Sequence, residues 1–518
     1  MPSKHLIARR SASSKRFKPS GRGERSIWTA KDDWESLISN SALSTSSISS
    51  RPPAFRGTLP SLSRYACSAL VRGFGRVWGD AGEEGEEWRR WWTAGWRGVP
   101  DHLKEIVRDR VMDKWGGILS LQVIHELFTI PPTLYLPGEL LQSVAKTTRL
   151  KPVIPPAASA NLMTSLILTH SPSSTDVGLA GLIHFLPNLT VINLKGCSLA
   201  GEKTVETMIG RCLNLVKINL KETKVREKEV AALLDKFGRQ LREFKIGAIV
   251  TFDNVNSTFG SQHYPYITHL SLPGNILNRP NFGNTNTTRF TGLGYPLPRA
   301  TPSTTAIHWS TLDKTFPSLT HLNLPGLLVP PGTGISTTNL TLVKLSIGPR
   351  GPPVPIDTIT SIIKTHQLTL CSLSLGNLYP TNTTVSSQSS QWNDLIEAVS
   401  GCRSLEAFEW LADSRTNDSR CDASMEAYGG GLVSALFGHE GLPMLKRVIL
   451  QVPCPIELPL ASNSLQPIET FEIPNANLAN HQEFAKSLSS FSTLRSLDLS
   501  GTTVDGTSSG KGQAVDKD

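Results

Sequence analysis

Apolar residues recur along the chain at one fixed spacing. The pattern apolar-x-x-apolar-x-apolar occurs at Met163-x-x-Leu166-x-Leu168, Leu189-x-x-Ile192-x-Leu194, Leu215-x-x-Ile218-x-Leu220, Leu241-x-x-Phe244-x-Ile246 and Ile267-x-x-Leu270-x-Leu272, and each start lies 26 residues after the last. Alternation of this kind predicts short, half-buried strands. Between the strands the apolar period changes. Leu179, Leu182, Ile183 and Leu186 fall at i, i+3, i+4 and i+7, as do Val205, Met208, Ile209 and Cys212, and Val230, Leu233, Leu234 and Phe237. Each set predicts an amphipathic helix with one buried stripe. A strand, a turn and a helix repeated in this way imply parallel strands joined by right-handed crossovers, and units that bury their stripes only by stacking.

The period then loosens. Leu319-x-x-Leu322-x-Leu324 starts 52 residues after Ile267, so about one repeat between them is an insertion or a degenerate unit. Further units begin at Leu342, Leu370, Leu405, Leu445, Ile468 and Leu494; gaps of 35 and 40 separate Leu370, Leu405 and Leu445, and the last pair is again 26 apart.

Extended by five residues, the units Leu189-x-x-Ile192-x-Leu194-x-x-Cys197-x-Leu199, Leu215-x-x-Ile218-x-Leu220-x-x-Thr223-x-Val225, Ile267-x-x-Leu270-x-Leu272-x-x-Asn275-x-Leu277 and Leu494-x-x-Leu497-x-Leu499-x-x-Thr502-x-Val504 resemble the leucine-rich repeat, and the helix-bearing form is similar to its ribonuclease-inhibitor-like class. The resemblance covers about residues 160–505. It implies an α/β solenoid, a curved horseshoe with parallel strands on the concave face and helices on the convex face. It also implies a protein that binds other proteins without catalysis or cofactor.

Four segments are expected. Residues 1–58, rich in Ser, Arg, Lys and Pro, read as a disordered basic tail. Residues 59–137 hold six of the eleven tryptophans and read as a helical N-terminal cap, with one helix through Leu62, Tyr65, Cys67, Leu70 and Phe74 and another through Leu103, Ile106, Val107, Arg110 and Val111. Leu134-x-Leu136-Pro137-Gly138 reads as a first, atypical strand. Residues 138–505 form the solenoid, with surface-loop insertions near 276–311, 376–392 and 411–430, and residues 506–518 a tail. Val99-Pro100-Asp101-His102-Leu103-Lys104-Glu105-Ile106-Val107 is weakly similar to the opening of an F-box, the helical module that docks a ubiquitin-ligase adaptor; the module's later Val-Cys-x-x-Trp portion has no match after Trp115. On that resemblance residues 59–137 would hold such an adaptor.

Charge narrows the partners. The net charge is +9, but residues 1–26 carry eight basic side chains against Glu24, which leaves the remaining chain at +2. A basic body that wraps nucleic acid is excluded, while a basic arm that touches one stays open, beside a nuclear-import or transit role. Seven cysteines without a C-x-x-C pair argue against a disulfide scaffold or a zinc module. Without a long apolar run or a signal-peptide pattern, the expected location is nucleus or cytoplasm, with no membrane partner.

Motifs for chemistry fail on inspection. His125-Glu126-Leu127-Phe128-Thr129 lacks the second histidine of a zinc helix, and the glycines of Gly506–Gly512 are misspaced for a phosphate loop. Cys197, Cys212 and Cys402 sit at positions expected in the core. No catalytic, cofactor or metal site is expected. What remains is the concave face, where strand alternation turns outward Asn193, Lys195, Lys217, Asn219, Lys221, Glu243 and Lys245, then His269, Ser271, His321 and Asn323, and finally Glu409, Glu472 and Asp498. The candidate protein-binding residues are Lys195, Lys217, Lys221, Lys245, His269 and His321, with an acidic segment of a partner as their complement. Trp88, Trp91, Trp92 and Trp96 share a helical face and are expected mainly as core packing, the alternative being a partner hot spot.

Overall fold

The computed structural model describes residues 62–79, 83–115, 119–137, 150, 153–246, 259, 262–272, 312–324, 336–348, 354–381, 384–412, 419–437, 442–452, 455–456, 466–474, 477–478, 481–489, 491–500 and 503–504. Every described residue belongs to the compact unit of residues 55–518. The expected basic tail, the 276–311 insertion and the tail from 506 lie outside the described residues.

One parallel sheet of thirteen strands runs through the unit in chain order. Its strands are β1 (Thr133–Pro137), β2 (Ser165–Thr169), β3 (Val191–Asn193), β4 (Lys217–Leu220), β5 (Glu243–Ile246), β6 (His269–Ser271), β7 (His321–Leu324), β8 (Lys344–Ile347), β9 (Ser372–Leu375), β10 (Ala407–Leu411), β11 (Arg447–Gln451), β12 (Thr470–Glu472) and β13 (Ser496–Asp498). Each strand pairs only with its neighbours in sequence, as stacked repeats require. The register aligns the middle apolar position of every repeat, Leu166, Ile192, Ile218, Phe244, Leu270, Leu322, Leu345, Leu373, Phe408, Val448 and Phe471 among them. All of these are buried in one continuous core. With its repeat spacing and one-strand-per-repeat ladder, the chain is a leucine-rich-repeat solenoid.

Among the described residues three long helices, α1 (Leu62–Gly79), α2 (Glu83–Gly98) and α3 (Asp101–Trp115), and a short helical segment over 121–128 precede the sheet. Phe74, Trp78, Trp92, Trp96 and Phe128 form an aromatic cluster, with Phe74 and Trp78 stacked at 4.3 Å and Trp92 and Trp96 at 5.2 Å. The buried indole N–H of Trp96 is satisfied by the Leu127 carbonyl at 2.9 Å. Buried Arg108 of α3 donates through Nη1 to the Thr133 carbonyl at 2.7 Å, which ties the helices to the first strand. β1 is the first strand expected at Leu134-x-Leu136-Pro137, and the sheet begins at residue 133.

Along the solenoid the connecting helices are α4 (Asp176–His184), α5 (Glu202–Arg211), α6 (Glu227–Phe237), α7 (Ile356–His366), α8 (Val385–Ser400), α9 (Ser419–Phe437) and α10 (His481–Ser489). Two expected surface loops are corrected here. α8 occupies the second half of 376–392 and α9 most of 411–430. Ser386 and Ser390 of the first window are exposed, whereas Trp392, Leu395 and Val399 at i, i+3 and i+7 make a fully buried stripe. In the second, glycine lowers helix propensity, but Gly431 lets α9 approach α8, since a Cβ there would lie 3.0 Å from the Ile396 side chain. The 35- and 40-residue spacings are therefore repeats with long helices of 16 and 19 residues.

Candidate functional site

The sheet face away from the leucine core carries two in-register rows. The first row runs Val191, Lys217, Glu243, His269, His321, Lys344, Ser372, one residue per strand from β3 to β9. The second runs Asn193, Asn219, Lys245, Ser271, Asn323, Ser346, Ser374. His269 and His321, 52 residues apart in sequence, become direct neighbours because β6 pairs with β7. Their rings stack with centroids 3.8 Å apart and an 18° interplanar angle.

Both rings are held alike by the threonine that precedes them. Thr268 Oγ1 lies 2.9 Å from His269 Nδ1 and donates to the Arg242 carbonyl; Thr320 Oγ1 lies 2.8 Å from His321 Nδ1 and donates to the Thr268 carbonyl. Each threonine hydroxyl thus bridges a backbone carbonyl and Nδ1, which fixes the orientation of the ring. Burial pushes His321 down to about 4, helped by His269, Lys344 and Lys245 and opposed by Glu243. His269 is lowered too, first by burial and then by Lys245, Lys217 and Lys344, against the pull of Glu243. Neutral pH leaves both imidazoles uncharged.

Beside them, Glu243 forms an ion pair with Lys217 and lies 3.9 Å from Lys245. Burial opposes its charge, but the Lys217 hydrogen bond and the charges of Lys217, Lys245 and His269 hold its carboxyl below the usual range. Lys344 stands exposed at the far side of the histidines. Three lysines against one carboxylate leave the row cationic.

Several expected site residues are placed differently. Lys195 and Lys221 were assigned to the outward face by alternation, which holds only within a strand; β3 ends at Asn193 and β4 at Leu220, so both lie in the turn beyond. Lys195 is only 8% exposed, Lys221 is half-buried, and the chain there reverses at Gly196 with φ +75°. Asn193 and Asn219 are buried and accept the backbone N–H two residues ahead, from Lys195 and Lys221, each at 3.2 Å. They shape the turn. Ser271 is likewise buried, 1% exposed, and its Oγ has no hydrogen-bond partner, nor has Asn323 Oδ1 in the adjoining strand. The acidic end of the face is tempered by Arg447, 3.6 Å from Glu409. Lys344 escaped the sequence reading because β8 starts 23 rather than 26 residues after β7, although Leu342-x-Lys344 occupies the same repeat position.

The tryptophan expectation also divides. Trp92 and Trp96 pack as described, but Trp88 is 62% and Trp91 68% exposed on the outer side of α2. Cys197, Cys212 and Cys402 are buried free thiols, and burial pushes each up to about 12. His125 and Glu126 fall in a single helical turn closed by Thr129 Oγ1 donating to the His125 carbonyl at 2.7 Å. Among the described residues, no three His, Cys, Asp or Glu side chains converge as a metal site, and no helix is long and apolar enough to cross a membrane.

No protein-family model matches the sequence. No curated protein matches it either. Solved structures do: an internalin from Listeria monocytogenes (13% identity, 75% of this chain and 84% of that one, TM-score 0.33), the Rad7 and Elc1 complex in yeast (15%, 87% and 98%, 0.36), and a leucine-rich-repeat protein from Leptospira interrogans (16%, 74% and 81%, 0.31).

Proposed function

We propose that this solenoid is a non-catalytic protein-binding scaffold whose open sheet face, between β4 and β8, holds an acidic segment of a partner protein. The observation that supports it is the row Lys217, Glu243, His269, His321, Lys344 with Lys245 beside it, a cationic, polar strip fixed by register on adjacent strands. A preformed sheet loses little conformational freedom on binding, and clustered positive charge steers an acidic partner and suppresses basic ones.

A second reading has its own support. Trp88 and Trp91 on α2 put two large indoles in solvent at i and i+3, the kind of side chain that anchors an interface. On that reading the N-terminal helices dock an adaptor, such as that of a ubiquitin ligase, while the sheet selects the target.

One affinity-purification experiment with mass spectrometry tests both. Deleting residues 59–137 would remove β1 and expose the core, so the arms are point variants of the full chain: Lys245→Gln with Lys344→Glu, and Trp88→Ala with Trp91→Ala. The scaffold reading expects the lysine pair to weaken capture of acidic partners at least about tenfold, or ~1.4 kcal/mol. The adaptor reading expects the tryptophan pair to lose ligase subunits and keep the rest. Recovery of the same partners by wild type and both variants contradicts the two readings together.

A further inference from the structure

The open face contains a feature that a merely cationic strip does not need: two histidines stacked face to face, both held at Nδ1 by a threonine hydroxyl. We propose that His269 and His321 form a carboxylate-gripping site that takes up a proton from solvent at Nε2 as an Asp or Glu side chain of the partner docks, so that binding is proton-linked. The inference rests on the acidic-partner reading above and adds the chemistry of its centre.

The argument is electrostatic and local. Among the described residues, the charged groups that face the pair are Glu243 and Lys245 on β5, Lys217 on β4 and Lys344 on β8. In the free protein a proton on either ring would sit against three lysines and a second imidazole, with Glu243 already engaged by Lys217 and Lys245. Docking of a carboxylate reverses that balance. Its negative charge offsets the lysines, and an imidazolium N–H to a carboxylate oxygen is a charge-assisted bond stronger than a neutral one. In the protonated ring both nitrogens are donors: Nδ1–H is taken by the threonine oxygen already in place, and Nε2–H is left for the carboxylate. The proton comes from bulk water, the new hydrogen bond is Nε2–H to the carboxylate oxygen, and the summed charge of ligand and ring is neutralised.

The probe is a fluorescein-labelled deca-aspartate peptide, whose side chains stay ionised above about pH 5, titrated against the full chain at pH 7.5 and 5.5 at fixed ionic strength. A ring whose pKa rises from about 4 in the free protein to ~6.5 in the complex gives about tenfold tighter binding at pH 5.5. The His269→Gln/His321→Gln double variant should bind with nearly the same Kd at both pH values. Equal wild-type affinity at the two pH values, a measurement that needs no variant, overturns the proton-linked site and leaves the acidic-partner reading standing, as does pH dependence that persists in the double variant. Absence of binding at both pH values, or binding that survives Lys245→Gln/Lys344→Glu and so lies elsewhere on the chain, overturns that reading as well.

Discussion

Trp410→Ala should lower the unfolding free energy by about 3–5 kcal/mol, the largest single-residue effect expected on stability. Trp410 lies on β10 at a position where neighbouring strands carry Leu324, Ile347, Leu375 and Leu450, and it is fully buried. Its indole N–H donates to the Gly376 carbonyl at 3.1 Å, and its ring stands 6.0 Å from that of Trp392, itself 6.4 Å from Tyr428. Alanine would remove a bicyclic ring from between a sheet strand and the long helix α8, leave a cavity that rigid neighbours cannot close, and orphan a buried carbonyl. Phenylalanine should recover part of the loss by refilling volume without the hydrogen bond. Urea unfolding followed by far-ultraviolet circular dichroism measures the difference. Because each repeat touches only its neighbours, hydrogen exchange should quicken first in β9, β10 and β11. An alanine variant as stable as the wild type would contradict the packing described for the long repeats.

Asp176→Ala is expected to cost ~2–3 kcal/mol, from several hydrogen bonds to one charged acceptor, reduced because water reaches the half-buried site. α5 begins at Gly201, which offers no side chain to cap its helix, and Asp176 of the preceding repeat does so instead. Its carboxylate accepts from the backbone N–H of Gly201, Lys203 and Thr204 at 2.9–3.0 Å and from Thr204 Oγ1 at 2.6 Å. Burial opposes the charged form, but these bonds outweigh it and lower the pKa below the ordinary 3.8. The sign follows directly. A depressed carboxyl contributes stability that is complete above its unfolded value and disappears as pH falls through that value toward the lower native one. The gap between wild type and Asp176→Ala should therefore be full at pH 7 and shrink below about pH 4. Melting temperatures at pH 7 and pH 3 read it; a gap that grows on acidification would contradict the assignment.

Neither of these residues stood out in the sequence, and the reason is physical. The 26-residue repeat made the strands and the helices α4, α5 and α6 legible, because burial of a stripe at fixed spacing is a property of the apolar pattern alone. Asp176 acts across a repeat boundary, 25 residues from Gly201, where no local pattern marks it. Trp392 sat in a polar window whose stripe emerges only over a 16-residue helix. On the open face, alternation placed Lys217, Glu243, Lys245, His269 and His321 correctly as outward positions. It misplaced Lys195 and Lys221 because the strands end before them, and it gave no sign that the histidines stack, since their contact depends on β6 pairing with β7 across 52 residues of sequence.

The central claim is that the lysine and histidine row is the partner-binding surface, and differential acetylation of lysines tests it most directly. The full chain is labelled alone and in complex with the acidic partner that it captures, and each lysine is compared by mass spectrometry. The account predicts shielding of Lys217, Lys245 and Lys344, with no change at Lys203, Lys228 and Lys364 on helices α5, α6 and α7. Shielding confined to those helices, with the row labelled equally in both states, would contradict it.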